Sequence, residues 1–414
     1  MSRRVAFWLA LGSVWVLTPG SLRADDKTDQ LVQMVVKLLG EQDREFRAAG
    51  LDQVRTGAKG TAATKAFAAQ LPKLDTSAQA ALLSALADRG DTAARPAVVE
   101  LLGASSDESV RVAAIAALGK LGEAADLPTL IKLLSAKSDG ERNAARQSLT
   151  RIRGQAINAT LAAESRTAPP AVRAALFDVL ATRRARDEWQ ALVAGAVDDN
   201  GQVRGAAMGA LGRIGQPAQL AEMLPAVLKA EKGGERDAAE RNVALVCSRI
   251  ENEDARGDAL IKALEKVNKA QIDQLLALIG RVGGKKLINF VAEIATGPDA
   301  ARRKLGIDAL SKWPDASVAD KLLEITNAAA DAAERSQAFQ GYVRISATRD
   351  GRSDKQRLDR MKQAMKIAKT PEEQSLVLNR CRTAYDVETV RFVLPYVEQQ
   401  EFAQLSCETI VEIA

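Results

Sequence analysis

Arg111, Arg142, Arg173 and Arg204 stand 31 residues apart along the chain. A single globular core imposes no period on its sequence. A fixed spacing of this length means that one supersecondary unit is stacked on copies of itself. The unit is clearest at DESVRVAAIAALGKLG, Asp107 to Gly122, followed by DLPTLIKLL, Asp126 to Leu134. It returns at DNGQVRGAAMGALGRIG, Asp199 to Gly215. Both copies open on an acidic residue, continue with Val-Arg, fill the next turn with small residues and close on Leu-Gly-x-Ile/Leu-Gly. Weaker copies lie around Arg47, Gln79, Ile272, Arg303 and Arg335, with degenerate ones near Ala238 and Gln374.

Within the unit, apolar residues recur at helical spacing in two short blocks separated by Gly, Asp, Ser or Pro, which predicts a helix pair. In the clearest copy the second block puts Val110, Ala114, Ile115 and Leu118 on one face. Gly122 then stops that helix, and Pro128 opens the next, where its missing N–H is harmless. No alternating strand pattern of any length is present. The expected fold class is therefore all-α: an α-solenoid of stacked antiparallel helix pairs, about twelve repeats over residues 25–414. The spacing stretches near residues 230–270 and 349–370, where a kink or insertion is expected. Composition agrees, because 414 residues exceed what one core organises, only 4% are aromatic, and 76 are alanine, the best helix former.

Histidine is absent. That excludes a serine–histidine or cysteine–histidine nucleophile pair, an imidazole general base, and histidine-containing zinc or iron sites. No cofactor or metal is expected.

The motif V-R-x-A-A-x-x-A-L-G-x-I/L-G at Val110–Gly122 and Val203–Gly215 resembles HEAT repeats, and its short period resembles the HEAT-like class of phycobilisome-lyase-type proteins. The resemblance covers roughly residues 28–414. It implies a right-handed superhelix in which the second helix of each pair lines the concave side. Some relatives of this kind attach chromophores, and a related hydroxylase binds iron through His-Glu motifs, which this chain lacks.

Residues 1–24 have the layout of a secretory signal peptide: Arg3 and Arg4, an apolar run from Val5 to Leu17, and a Pro19-Gly20 break, with cleavage expected after Ala24. The run is shorter than the roughly 20 apolar residues that span a bilayer, an uncleaved membrane anchor being the alternative. Removing Arg3, Arg4 and Arg23 takes the net charge from +5 to +2, so the basic balance belongs largely to the leader. Without a strong basic excess or stacking aromatics, no nucleic-acid partner is expected. A periplasmic or secreted protein is.

The recurring acids and arginines read as structure, since a catalytic residue occurs once and not at every period. Asp43, Asp107, Asp299 and Asp331 each precede Arg47, Arg111, Arg303 and Arg335 by four residues, where an Asp caps a helix N-terminus. Each arginine is then expected to bond the Asp of the neighbouring unit, with Arg142, Arg173 and Arg204 in the same ladder. Outward candidates on second helices are Arg111, Val112 and Lys120 in one unit, and Gln202, Arg204 and Arg213 in another. The segment Arg349–Thr370 holds eight Lys/Arg against three Asp; Arg357, Arg360 and Lys362 are candidates for an anionic-partner contact, against a solvated helix face. Cys247, Cys381 and Cys407 are expected as small buried hydrophobes, with a Cys381–Cys407 disulfide as the alternative in an oxidising compartment. Gly280-Arg281-Val282-Gly283-Gly284-Lys285-Lys286 lacks the spacing of a phosphate loop and is expected to be a helix-ending turn.

The expected function is that of an exported, non-enzymatic scaffold binding a partner protein on its curved repeat surface, as a monomer or a complex subunit. The alternatives are an accessory or docking subunit of an exported enzyme complex, or a lyase-like HEAT-repeat enzyme.

Overall fold

The computed structural model describes residues 24–414. The expected leader lies outside the described residues except for Ala24, where the first described helix begins.

Helix starts follow from local chemistry. Asp43, Asp75, Asp107, Asp299 and Asp331 each accept a hydrogen bond from a backbone N–H of the first turn that follows them. Ser138, Asn200 and Thr370 do the same for three further helices. Each such cap contributes about 1 kcal/mol. Helix ends are set by glycine in two ways. Gly90 ends its helix at φ 72°, a left-handed conformation that only glycine adopts without strain. Gly122 ends its helix in extended backbone, where a Cβ would run into the Leu118 carbonyl.

The described residues form 25 α-helices with no strand, arranged as twelve antiparallel pairs. The first helices are Ala24–Gly40, Thr61–Ala68, Arg95–Ala104, Leu127–Leu133, Ile157–Glu164, Trp189–Ala196, Leu220–Lys229, Glu253–Leu264, Lys285–Ala295, Ala319–Ala328, Asp354–Ile367 and Val387–Val393. Their partners are Arg44–Thr56, Thr76–Arg89, Glu108–Leu121, Asp139–Arg151, Pro170–Thr182, Gly201–Ile214, Gly234–Cys247, then a broken helix in two pieces, Lys269–Gln274 and Leu276–Val282, and finally Ala300–Ser311, Ala332–Ser346, Pro371–Cys381 and Ala403–Ile413. Two compact units result, the first ending at Ile157 and the second running Asn158–Ala414. The division falls inside the helix Ile157–Glu164 and not at either stretch of irregular spacing.

Each unit is an α-solenoid in which second helices of successive pairs lie against one another, while first helices meet more sparsely. The core is continuous along each stack. Val110, Ala114, Ile115 and Leu118 are fully buried, and so are Phe67, Phe177, Trp313, Phe339 and Tyr342. The first glycine of the Leu-Gly-x-Ile/Leu-Gly signature sets the spacing of the second-helix layer. A Cβ on Gly119 would lie 3.0 Å from Ser148 on the next second helix, and one on Gly212 would collide with Asn242. Gly280 meets the Ala309 backbone in the same way. Gly283 and Gly284, with φ of 72° and 113°, turn the chain straight into the helix Lys285–Ala295, so this glycine cluster is a helix-to-helix turn.

Candidate functional site

The residues that recur at every period are taken up between pairs. Arg111 donates from Nε and Nη2 to Glu141 at 2.5 and 3.2 Å, and from Nη1 to the Leu102 carbonyl at 2.8 Å. Arg204 bonds Glu235 and the Asp198 and Asp199 carbonyls; Arg303 bonds Glu334 and the Gly297 and Pro298 carbonyls. Arg335 bonds Glu373 at 2.5 Å. Each guanidinium therefore joins carbonyls at or just beyond a first-helix C-terminus to a carboxylate in the first turn of the next second helix, where both helix dipoles favour it. Hydrogen bonds donated to the glutamates raise the pKa of Arg111, Arg204 and Arg303, and the Arg204 bond holds the Glu235 carboxyl below its ordinary range.

The stitch differs from the expected one in its acceptor. The cap aspartates spend a carboxylate oxygen on their own helix N–H groups, and the arginine takes a glutamate one turn further on. Arg47 is the exception, bonding the cap Asp75 at 3.2 Å, while Arg173 bonds Asp198 at 2.5 Å. Arg142 pairs with Asp139 of its own helix and with the Ala136 and Lys137 carbonyls. The position 30 residues on from it is Val172, which carries no carboxylate.

Two further ladders were not foreseen. Arg95 grips the buried Asp126 with two bonds of 2.8 Å, tying one first helix to the next. Arg89, Arg249 and Arg344 each cross to the preceding second helix and bond its last carbonyls: Val54 and Gly57, Gly212 and Arg213, and Ser311. These separations of 32 to 37 residues span loops of changing length, so no single period betrays them. The recurrence of a glutamate 30 or 31 residues after Arg111, Arg204 and Arg303 was the available signal for the main ladder.

What remains open on the second helices of the third, sixth, ninth and tenth pairs is a stripe at i, i+4, i+7 and i+11, whereas the equivalent Ala144 and Ala175 are buried in the fourth and fifth. The stripe runs Ser109, Ala113, Ala116, Lys120 in the third pair and Gln202, Ala206, Gly209, Arg213 in the sixth. Ala301, Leu305, Asp308, Lys312 and Ala333, Gln337, Gln340, Arg344 follow in the ninth and tenth. Of the outward candidates, Lys120, Gln202 and Arg213 lie on this stripe. Arg111 and Arg204 do not: both are consumed by the stitch, and Arg204 is only 4% exposed. Val112 is half-buried beside Gly140. Lys120 reaches back to Asp88 at 2.8 Å and Arg213 to Asp178 at 2.7 Å.

The basic segment is likewise drawn inward. Arg357 is buried, bonding Asp354 and the Arg352 and Thr383 carbonyls, and so is no surface contact. Arg360 pairs with Asp320, and Lys362 lies half-buried over the Phe392 ring. Cys247 and Cys381 are buried free thiols pushed up to about 12 by desolvation. Cys407 departs from the expectation, being exposed near Val411 on the last helix.

Two clefts open between pairs. One of about 370 Å³ is walled by Ser105, Ser106, Glu108, Ser138 and the Arg111–Glu141 pair. The other, of about 770 Å³, lies between the eighth and ninth pairs. Among the described residues, no helix is long and apolar enough to cross a membrane, and no group of three His, Cys, Asp or Glu is placed to hold a metal.

Residues 64–150 match the family model for HEAT repeats. The structure resembles that of the karyopherin Kap121p bound to the extreme C-terminus of the protein phosphatase Cdc14p, with a TM-score of 0.50 at 12% identity over 99% of this chain and 51% of that one. Kap121p bound to the SUMO protease Ulp1p gives the same TM-score, identity and coverage. This chain thus spans about half the length of those solenoids, and at this identity the likeness is one of fold. No curated protein matches in sequence.

Proposed function

We propose that this chain, an α-solenoid whose residues 64–150 match the HEAT-repeat model, is an exported, non-enzymatic scaffold that binds a partner protein on the open stripe of its second helices. The observation that carries this reading is the division of labour along each second helix. The conspicuous charged residues are spent on stacking, and the remaining face is rich in small residues and largely uncovered in the third, sixth, ninth and tenth pairs. Such a face suits an extended partner, because stacked repeats give a long, stiff surface and alanines let another backbone approach. The Kap121p structures, in which a protein of similar fold is bound to the extreme C-terminus of Cdc14p or to Ulp1p, support the same reading. Export is supported by the charged, apolar and Pro-Gly segments of residues 1–24.

The test is purification of tagged full-length protein from a cross-linked native envelope fraction, with a tag-only control. A stoichiometric partner, cross-linked through the second-helix lysines Lys120, Lys304 and Lys312, is expected. Absence of any partner, or links confined to the first-helix lysines Lys132 and Lys262, overturns the proposal.

A further inference from the structure

We propose that the groove between the eighth and ninth pairs takes an extended peptide segment that carries an apolar side chain next to a lysine or arginine. The inference rests on the scaffold reading and names the partner's chemistry at one place on it.

This junction combines a missing ladder arginine, which other units also lack, with a reversed ion pair and a broken helix. The ladder position that holds Arg303 and Arg335 in later pairs is Ile272 here. The position three residues after the cap, Glu334 following Asp331, is Arg302 following Asp299. The ion pair is consequently reversed: Arg302, on the later helix, donates back to Asp273 at 2.9 and 3.3 Å. The earlier second helix is also broken at Leu275, between Lys269–Gln274 and Leu276–Val282. With no arginine reaching forward and one helix broken, the cleft has about twice the volume of the one between the third and fourth pairs, about 770 against 370 Å³.

Its lining gives the occupant. Phe290, 39% exposed, stands in the groove with Ile294 and Pro298. A large ring left in water inside a concavity is a ready contact for an apolar side chain. Asp273 and Arg302 neutralise each other. Asp299 spends Oδ1 on its own helix and lies within electrostatic reach of Arg303, Glu293 is exposed at the rim, and the lining as a whole carries three acids, Asp273, Glu293 and Asp299, against two bases, Lys269 and Arg302. That acidic excess favours a cationic residue beside the apolar one. The smaller cleft offers no such ring, its walls being serines, Glu108, Lys137 and the closed Arg111–Glu141 pair.

The experiment is selection of phage-displayed random dodecapeptides on immobilised full-length protein, followed by anisotropy titration of an enriched peptide made with a fluorescein label. Enriched sequences are expected to pair an apolar residue with Lys or Arg. Phe290→Ser and Glu293→Lys should each weaken binding by about tenfold or more, whereas Lys132→Glu should leave it unchanged. Circular dichroism melts at the wild-type temperature show that the variants fold, as their exposure leads one to expect. No enrichment, enrichment of acidic peptides, or binding indifferent to Phe290→Ser and Glu293→Lys overturns the proposal. Should it fall while a native partner still cross-links to Lys120, Lys304 and Lys312, the scaffold reading survives without this groove.

Discussion

Arg204 and Glu235 form a two-pronged ion pair between the sixth and seventh second helices, Nε to Oε1 at 2.7 Å and Nη2 to Oε2 at 2.9 Å. Removing the carboxylate leaves a buried guanidinium with the Asp198 and Asp199 carbonyls and only the exposed Glu231, 3.5 Å away, as a countercharge. Glu235→Ala should cost about 2–4 kcal/mol, the lower part of the range for breaking a buried pair because Glu235 is partly exposed. The exposed pair Lys229–Asp199, a few residues away, is the control: Lys229→Ala should cost less than about 1 kcal/mol. Urea denaturation of the two variants reads the difference, and equal losses would remove the ladder's structural role.

Helix glycines face opposite fates. Gly280 abuts the immovable Ala309 backbone of the next second helix, so Gly280→Ala should destabilise by about 1–3 kcal/mol through overpacking. Gly209 has open space where its Cβ would be, so Gly209→Ala should stabilise by about 0.5–1 kcal/mol through helix propensity alone. Thermal melts of both variants decide whether the signature glycine sets the stacking distance.

The contrast shows what sequence could reveal. The period of Arg111, Arg142, Arg173 and Arg204 and the two apolar blocks of each unit were enough for twelve helix pairs, because stacking repeats the same local chemistry at fixed intervals. Acceptor choice was not readable from the cap aspartates, since whether Arg111 reaches Asp or Glu depends on a separation across two helices. Arg357 was misread for a related reason. A charge run looks solvated in sequence, and only the packing of Asp354–Ile367 against its neighbours turns Arg357 inward while Arg360 stays half-buried. The groove at Phe290 was invisible, because a departure such as Ile272 in an arginine's place cannot be told from drift without the helix break beside it.

Acid should weaken the fold in a defined window. Glu235, whose ordinary value is 4.5, has its carboxyl lowered in the folded state by Arg204, and Asp88 and Asp320 are lowered from 3.8 by Lys120 and Arg360. A carboxyl lowered by folding gives stability that is complete above its unfolded value and is lost as pH falls through the folded one. The melting temperature should therefore drop below about pH 4.5. The buried thiols act at the other end. Cys247 and Cys381 rise from 9.0 to about 12, so their share of stability is lost as pH climbs above 9. Between about pH 5.5 and 8 no imidazole titrates, and the melting temperature should stay level.

Thiol accessibility separates the three cysteines. Ellman's reagent should find one reactive thiol in the native protein, Cys407, and three in denaturant. Two thiols missing from the denatured count would mean a disulfide and would contradict the free state of Cys381.

That a partner lies along the open stripe is tested most directly by placing bulk or charge on it and measuring how much stoichiometric partner is recovered from the cross-linked envelope fraction. Ala116→Trp, Leu305→Glu and Gln340→Trp alter the stripe in three pairs while touching none of the stacking ladders. At least one of these should cut recovery about tenfold, while Lys132→Glu on a first helix leaves it intact. Undiminished recovery with all three stripe variants would contradict the scaffold surface described above.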